Sequence, residues 1–384
     1  MPETVREDKR SFHRTEMLPP KPPPPATTGV LGWMRENLFS NWWNTILTFL
    51  GLYIIWLVVS TLVQFAILDA VWEGSDRSAC LATDGRAVGA CWAFVRAWFN
   101  KYMYGFYPVE EQWRVLLVYA VGVILLVPML IPSVPYKRLN GLLLLVAFPV
   151  LAYVFLYGAP SLHLPIVETT KWGGLLLTLV IATVGIVVSL PLGVILALGR
   201  RSTMPVVRFL SIVFIEFWRG VPLITVLFMS SVMLPLFLPE GVTLDKVIRP
   251  LVGVALFSAA YMAEVVRGGL QAIPKGQYEG AMALGLSYWQ MMGLIILPQA
   301  LKMVIPGIVN TFIGLFKDTS LVSIIGLFDL LGIVQASLAD AKWSTPVTAP
   351  TAYLFLALVY WAFCFGMSRY SIFMENYLHT GHKR

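Results

Sequence analysis

No G-x4-GK[ST] stretch occurs anywhere in the chain, so it binds no nucleotide through a P-loop. HExxH is also missing. The four histidines, His13, His163, His379 and His382, are scattered, which argues against a metal cluster. Charge is scarce: 13% of the 384 residues are Asp, Glu, Lys or Arg, against 58% hydrophobic residues and a mean hydropathy of +0.74. A soluble core of this length cannot hide so much apolar surface, which leaves a polytopic helical membrane protein. The net charge of +7 would suggest nucleic acid in a soluble domain. Here the placement of the cations between apolar runs matters more than their sum, and no nucleic-acid partner is expected. An export signal is lacking too. Residues 1–42 are polar and rich in proline (Pro19, Pro20, Pro22 to Pro25), and are expected to form a disordered cytoplasmic tail. No strong internal repeat is visible.

What the chain does have is long apolar segments. Eight are expected to span a bilayer: about 43–68, 113–131, 139–158, 173–198, 207–237, 250–268, 303–337 and 350–369. The fifth and seventh exceed one simple crossing, so tilt, a kink or a break is expected there. With the N-terminus inside, the inner segments carry 17 Lys and Arg and the outer ones 9. Arg219 and Lys317 are left within spans. This bias predicts both termini in the cytoplasm, with the 268–303 loop on the same side. Ionisable residues at depth begin only after residue 160. Three parts follow: the tail (1–42), a three-helix extension with an outer loop (43–160) and a five-helix core (161–384).

The most specific motif lies in that loop. Glu279-Gly280-Ala281 is followed by three residues, then Gly285, then nine residues, then Ile295, Leu297 and Pro298. Pro274 is expected to end the preceding helix, and a short helix to run from Lys275 to Leu284 with Tyr278, Ala281 and Leu284 on one face. Gly285 permits a reversal, a second short helix shows Trp289 and Met292 on one face, and Pro298 starts the return to the membrane. Two short helices with an exposed apolar face suit docking on a soluble partner; a plain amphipathic loop lying on lipid is the weaker alternative.

This spacing resembles the EAA loop of bacterial ABC-importer permeases, with Gly280 in place of the middle alanine. Glu216 to Pro222, Tyr261 to Gly269, Lys317 to Leu321 and Gly173-Gly174 with Thr178 resemble further stretches of the polar amino-acid type (histidine, glutamine, arginine). The long N-terminal extension resembles the larger permease of general L-amino-acid transporters. The resemblance implies an inner-membrane permease of an ATP-driven L-amino-acid importer. It further implies a second permease (a paralogue or a copy of itself), two ABC ATPase subunits that hold ATP and Mg, and a periplasmic amino-acid-binding protein. The chain itself then needs no cofactor and catalyses nothing.

The charges within spans suggest a substrate path. A charged side chain at a helix centre costs about 2.5–3.5 kcal/mol, so it needs a partner or a function. Counting along the helices at ~1.5 Å per residue puts Arg219 and Lys317 at a common depth near the midplane. A zwitterionic amino acid needs a donor for its carboxylate and an acceptor for its ammonium. Arg219 or Lys317 would serve the first and Glu216 or Asp318 the second, with Thr319 and Ser320 beside them. Plain pairing stands equally open: Glu216 with Arg219, Glu264 with Arg267, or Lys317 and Asp318 holding subunits together. Cys80 and Cys91 lie in the long outer loop, where an oxidising compartment favours a disulfide. Cys364 is expected to pack. Trp42, Trp43, Trp72, Trp92, Trp98, Trp113 and Trp172 fit an interfacial belt. Other readings are a secondary amino-acid transporter or channel, which the absence of an inverted repeat disfavours, and a membrane-embedded enzyme, for which no catalytic constellation is found.

Overall fold

A computed structural model describes residues 29–82, 88–239 and 244–378. It divides into two units, which meet in sequence at Leu68 and Asp69. In the first, Gly29–Asn37 form helix α1 and Trp42–Val63 form α2, which runs on through a π turn to Leu68. Residues 29–37 thus form a helix within the stretch expected to be disordered; residues 1–28 lie outside the described ones. Asn41 caps α2 by accepting a 2.8 Å bond from the Asn44 N–H. No residue of α2 is buried within the unit, and its apolar side chains point to all sides, as lipid requires.

The second unit opens with a segment that lies outside the spans. A 3₁₀ turn, Arg77–Cys80, leads by way of the Cys80–Cys91 disulfide into α3, Trp92–Tyr104. Helix α3 lies where an outer loop is expected: at 13 residues, with Arg96 and Lys101 on it, it is too short and too charged for a span. Next come α4 (Gln112–Leu130), α5 (Lys137–Leu142), a π turn at Leu143–Ala147 and α6 (Phe148–Tyr157). The core follows: α7 (Gly174–Arg200), α8 (Pro205–Gly220), α9 (Leu223–Phe228, prolonged to Phe237) and α10 (Ile248–Ala272). After the loop helices α11 (Lys275–Ala283), α12 (Tyr288–Met291) and α13 (Leu297–Met303) come α14 (Ile305–Asp318), α15 (Leu330–Ser337) and α16 (Thr348–Leu378).

Among the described residues seven helical stretches are long and apolar enough to cross a membrane, and the bent pair α8 and α9 makes an eighth if it is counted as one span. Their axes meet at 104°. Val221 is extended (φ −104°, ψ 133°), as the residue before a proline tends to be, so the helix cannot run through Pro222. The seventh span ends sooner than expected, at Ile325. Gly326 takes φ +79°, and Asp329 caps the separate helix α15 by accepting from Gly332 N–H at 2.9 Å.

Small residues let the core helices approach. A Cβ on Gly193 of α7 would lie 2.6 Å from Met262 Cγ on α10, and one on Gly185 would lie 3.0 Å from Leu315 on α14. The extension is not a separate body after α2. Arg114, fully buried at the start of α4, donates to Glu111 (2.7 Å) and to the carbonyl of Pro165 (3.0 Å) in the segment entering the core. Gly105, at the end of α3, abuts Gly173: a Cβ there would lie 2.3 Å from Gly173 Cα. By their contacts, residues 69–160 lie in the same compact unit as the core.

The segment before α4 forms a cap on the core end where α7 begins. Arg77 N–H donates to Lys342 O (2.8 Å), Cys91 N–H to Thr351 Oγ1 (2.9 Å) and Trp98 Nε1 to Asp340 (3.2 Å). Tyr102 and Ser337 share a 2.9 Å bond between hydroxyls. Burial pushes the Tyr102 hydroxyl up to about 12, so it stays protonated at any physiological pH. Phe94 and Trp343 pack beneath the disulfide.

Candidate docking loop and charge cluster

Pro274 (φ −58°) presets the first turn of α11. The helix ends in a Schellman motif: Leu286 N–H reaches Ala281 O at 3.2 Å and Gly285 N–H reaches Met282 O at 2.9 Å. Gly285 has φ +72°, and a Cβ there would meet nothing within 4 Å, so its constraint is conformational and not steric. Ser287 and Gln290 form a capping box that starts α12. A π turn, Met292–Ile296, then carries the helix into α13, where Leu297 and Pro298 are the first two residues. The returning arm is therefore a continuous bulged helix and not a second stub, the bulge absorbing the hydrogen bond that Pro298 cannot make. Gln299 Nε2 donates to Gln277 Oε1 at 3.1 Å and ties the two arms.

The packed face differs from the expected one. Ala281 is buried and Tyr278 half-buried, but Leu284 is exposed, because it sits past the last turn of α11. Met292 is buried, Trp289 exposed and Ile295 half-buried. Met282, Leu284, Trp289 and Leu294 are thus left bare beside Glu279 and Gly280, outside the spanning segments. Bare apolar side chains of this number in an aqueous loop mark a contact surface.

Arg200, Glu216, Arg219, Glu264 and Arg267 form one charge cluster that links three helices. Glu264 on α10 accepts from Arg267 Nη2 (2.7 Å) and Nε (3.1 Å), and lies 3.0 Å from Arg200 Nη1 and 3.7 Å from Arg219 Nη1. Glu216 accepts from Arg200 Nη1 at 2.8 Å. Glu216 therefore pairs with Arg200 rather than with Arg219 three residues on. The Arg219 guanidinium lies 5.6 Å over the Tyr261 ring. Arg200, the last residue of α7, is the member that sequence spacing could not reveal, since Glu216 is 16 residues away in the chain.

Lys317 and Asp318 stand apart. Among the described residues no ion pair joins either to Glu216 or Arg219. Leu315 packs at the level of Gly185 on α7, whereas Glu264 follows Met262 and Ala263, which pack at Gly193. Those levels differ by eight residues, about 12 Å along the helix. The expected common depth of Arg219 and Lys317 is thus not seen; the 104° bend after Gly220 means that α8 and α9 do not form one straight crossing. Lys317 is exposed in the isolated chain and Asp318 half-buried. The Thr319 and Ser320 hydroxyls donate to the carbonyls of Phe316 and Lys317, each at 2.8 Å.

Apolar spans, one loop of two helical arms with bare apolar side chains, and an arginine–glutamate cluster centred on half-buried Glu264 define a multi-pass transport permease. Residues 189–371 match the family described as binding-protein-dependent transport system inner membrane component. The inner membrane amino-acid ABC transporter permease protein YhdY of Escherichia coli is 52% identical over 363 residues, 94% of this chain and 97% of that protein. BztC of Rhodobacter capsulatus, a glutamate/glutamine/aspartate/asparagine transport system permease protein, is 43% identical and covers 97% of this chain and 99% of its own. A solved amino acid ABC transporter with histidines aligns over 53% of the chain and 92% of its own, at 28% identity and a TM-score of 0.47. The chain belongs to the amino-acid ABC transporter permeases, and it is the multi-pass inner-membrane component of such a transporter.

Proposed function

We propose that this permease, with both termini in the cytoplasm, imports L-amino acids in a complex with a second permease, two ABC ATPases that hold ATP and Mg, and a periplasmic binding protein. The ATPases sit on the loop of α11 to α13. The observation that carries this is the loop itself: a Schellman-terminated helix held to its return arm, with Met282, Leu284 and Trp289 bare outside the spans. The excess of Lys and Arg on the same side supports the orientation. Residues 161–384 act as the transport core. ATP hydrolysis in the partners moves the loop, and the core helices exchange access between the two sides.

Co-purifying the chain with its partners and reconstituting the complex in vesicles tests this. ATP hydrolysis stimulated by the substrate-loaded binding protein, with ATP-dependent amino-acid uptake, is expected. Uptake driven by an ion gradient without ATP would instead favour a secondary transporter.

A further inference from the structure

Two adjacent arginines at the end of α7 reach in opposite directions. Arg201 Nη1 donates to Leu270 O, at the end of α10, at 2.5 Å and to the Tyr278 hydroxyl on α11 at 3.3 Å. The same hydroxyl donates to Leu270 O at 3.2 Å, and the guanidinium lies 5.7 Å from the Tyr278 ring centre. Its neighbour Arg200 bonds Glu216 on α8 and Glu264 on α10, and Glu264 in turn holds Arg219. Arg219 is three residues before Pro222, where α8 and α9 meet at 104°. One helix end thus grips the docking loop with one residue and the arm of the bent span with the next.

We infer that the Arg200–Arg201 pair is the positioning element that transmits movement of α11 to the α8–α9 elbow. The inference rests on the reading of the loop as an ATPase-docking element. Elastic transmission through loose loop would dissipate the displacement. Here the path from α11 to α8 is two side chains long, a hydrogen bond at each end from a guanidinium with a fixed fork geometry, to Tyr278 at 3.3 Å and to Glu216 at 2.8 Å; Arg219 joins through a 3.7 Å ion pair with Glu264. Tyr278 packs against the buried cluster that contains Ile273, Ala281 and Ile296, so the ring is held when the hydroxyl is pulled. The path is a physical one, and it is coupling that must be measured.

The test compares the reconstituted wild-type complex with Arg201→Met, Arg201→Lys, Tyr278→Phe and the Arg201→Met/Tyr278→Phe double variant. Three readouts are needed: subunit stoichiometry after purification, amino-acid uptake, and the ratio of hydrolysis with and without loaded binding protein. Arg201→Met is expected to assemble with normal stoichiometry while its stimulation ratio falls roughly tenfold, within the ordinary range of coupling between sites. Tyr278→Phe keeps the packed ring and should lose part of the ratio, Arg201→Lys should restore part of it, and the double variant should be no worse than Arg201→Met. A wild-type ratio in either Arg201→Met or Tyr278→Phe overturns the inference, as does a loss of uptake that only tracks lost assembly. A wild-type complex without stimulated hydrolysis overturns the transporter reading, and the inference with it.

Discussion

Gly285 and Gly280 lie five residues apart in one loop and are predicted to respond oppositely to substitution. Gly285 holds φ +72°. A β-branched side chain there opposes the left-handed backbone, at a cost above the ~1 kcal/mol of an ordinary glycine effect. Gly285→Val is expected to insert normally and yet lose its ATPases or uncouple them, as read by co-purification and uptake; normal uptake by stably inserted protein would refute the coupling role. Gly280 sits inside α11 with open space around it. Gly280→Ala should gain about 0.5–1 kcal/mol of helix stability with assembly and uptake unchanged. At Asp318, two roles separate cleanly. Asp318→Asn removes the charge and keeps the shape. If Asp318 receives a substrate ammonium, uptake falls with assembly intact. If it serves to neutralise Lys317, assembly falls and the added Lys317→Met restores it. An assembled double variant with near-normal uptake eliminates a substrate role for both.

The elements show which signals survive in a sequence. The loop was legible because its turn chemistry is local: Pro274 and Gly285 each act within a few residues. The face it packs was not, since whether Leu284 or Ala281 points inward depends on where α11 stops. The excess length of the fifth span announced a kink or break, though not its 104° angle; α8 and α9 each pack against α10. Helix α3 was invisible, because nothing in 13 residues foretells partners such as Ser337 and Asp340, more than 200 positions away. Reducing the Cys80–Cys91 bridge is expected to destabilise this cap by on the order of 2–3 kcal/mol, the chain-entropy value for so short a ring. Linked peptides in mass spectrometry of unreduced protein, and faster proteolysis of the cap after reduction, would register it; free thiols at both positions in protein from the oxidised compartment would contradict it.

For the whole molecule the prediction concerns sidedness. A reporter fused after Arg384 should behave as cytoplasmic, and one inserted near Gly85, outside the described residues, as external. The opposite result at either site would invert the arrangement inferred from the basic residues. Span number was readable from composition, since lipid demands about 20 apolar residues per crossing. The unity of residues 69–160 with the core was not, because it rests on Arg114 and on the approach of Gly105 to Gly173.

That approach bears on the order in which the protein can be made. The cap closes on Thr351, 260 residues downstream of Cys91. It cannot finish until the last membrane helix has left the ribosome. Closures over such distances are slow. The ring of Cys80 and Cys91 needs no such wait, the two cysteines being only 11 positions apart. Nascent chains would thus carry a finished knot long before its seat exists, and the late-arriving C-terminal helix receives a shaped surface instead of a loose strand.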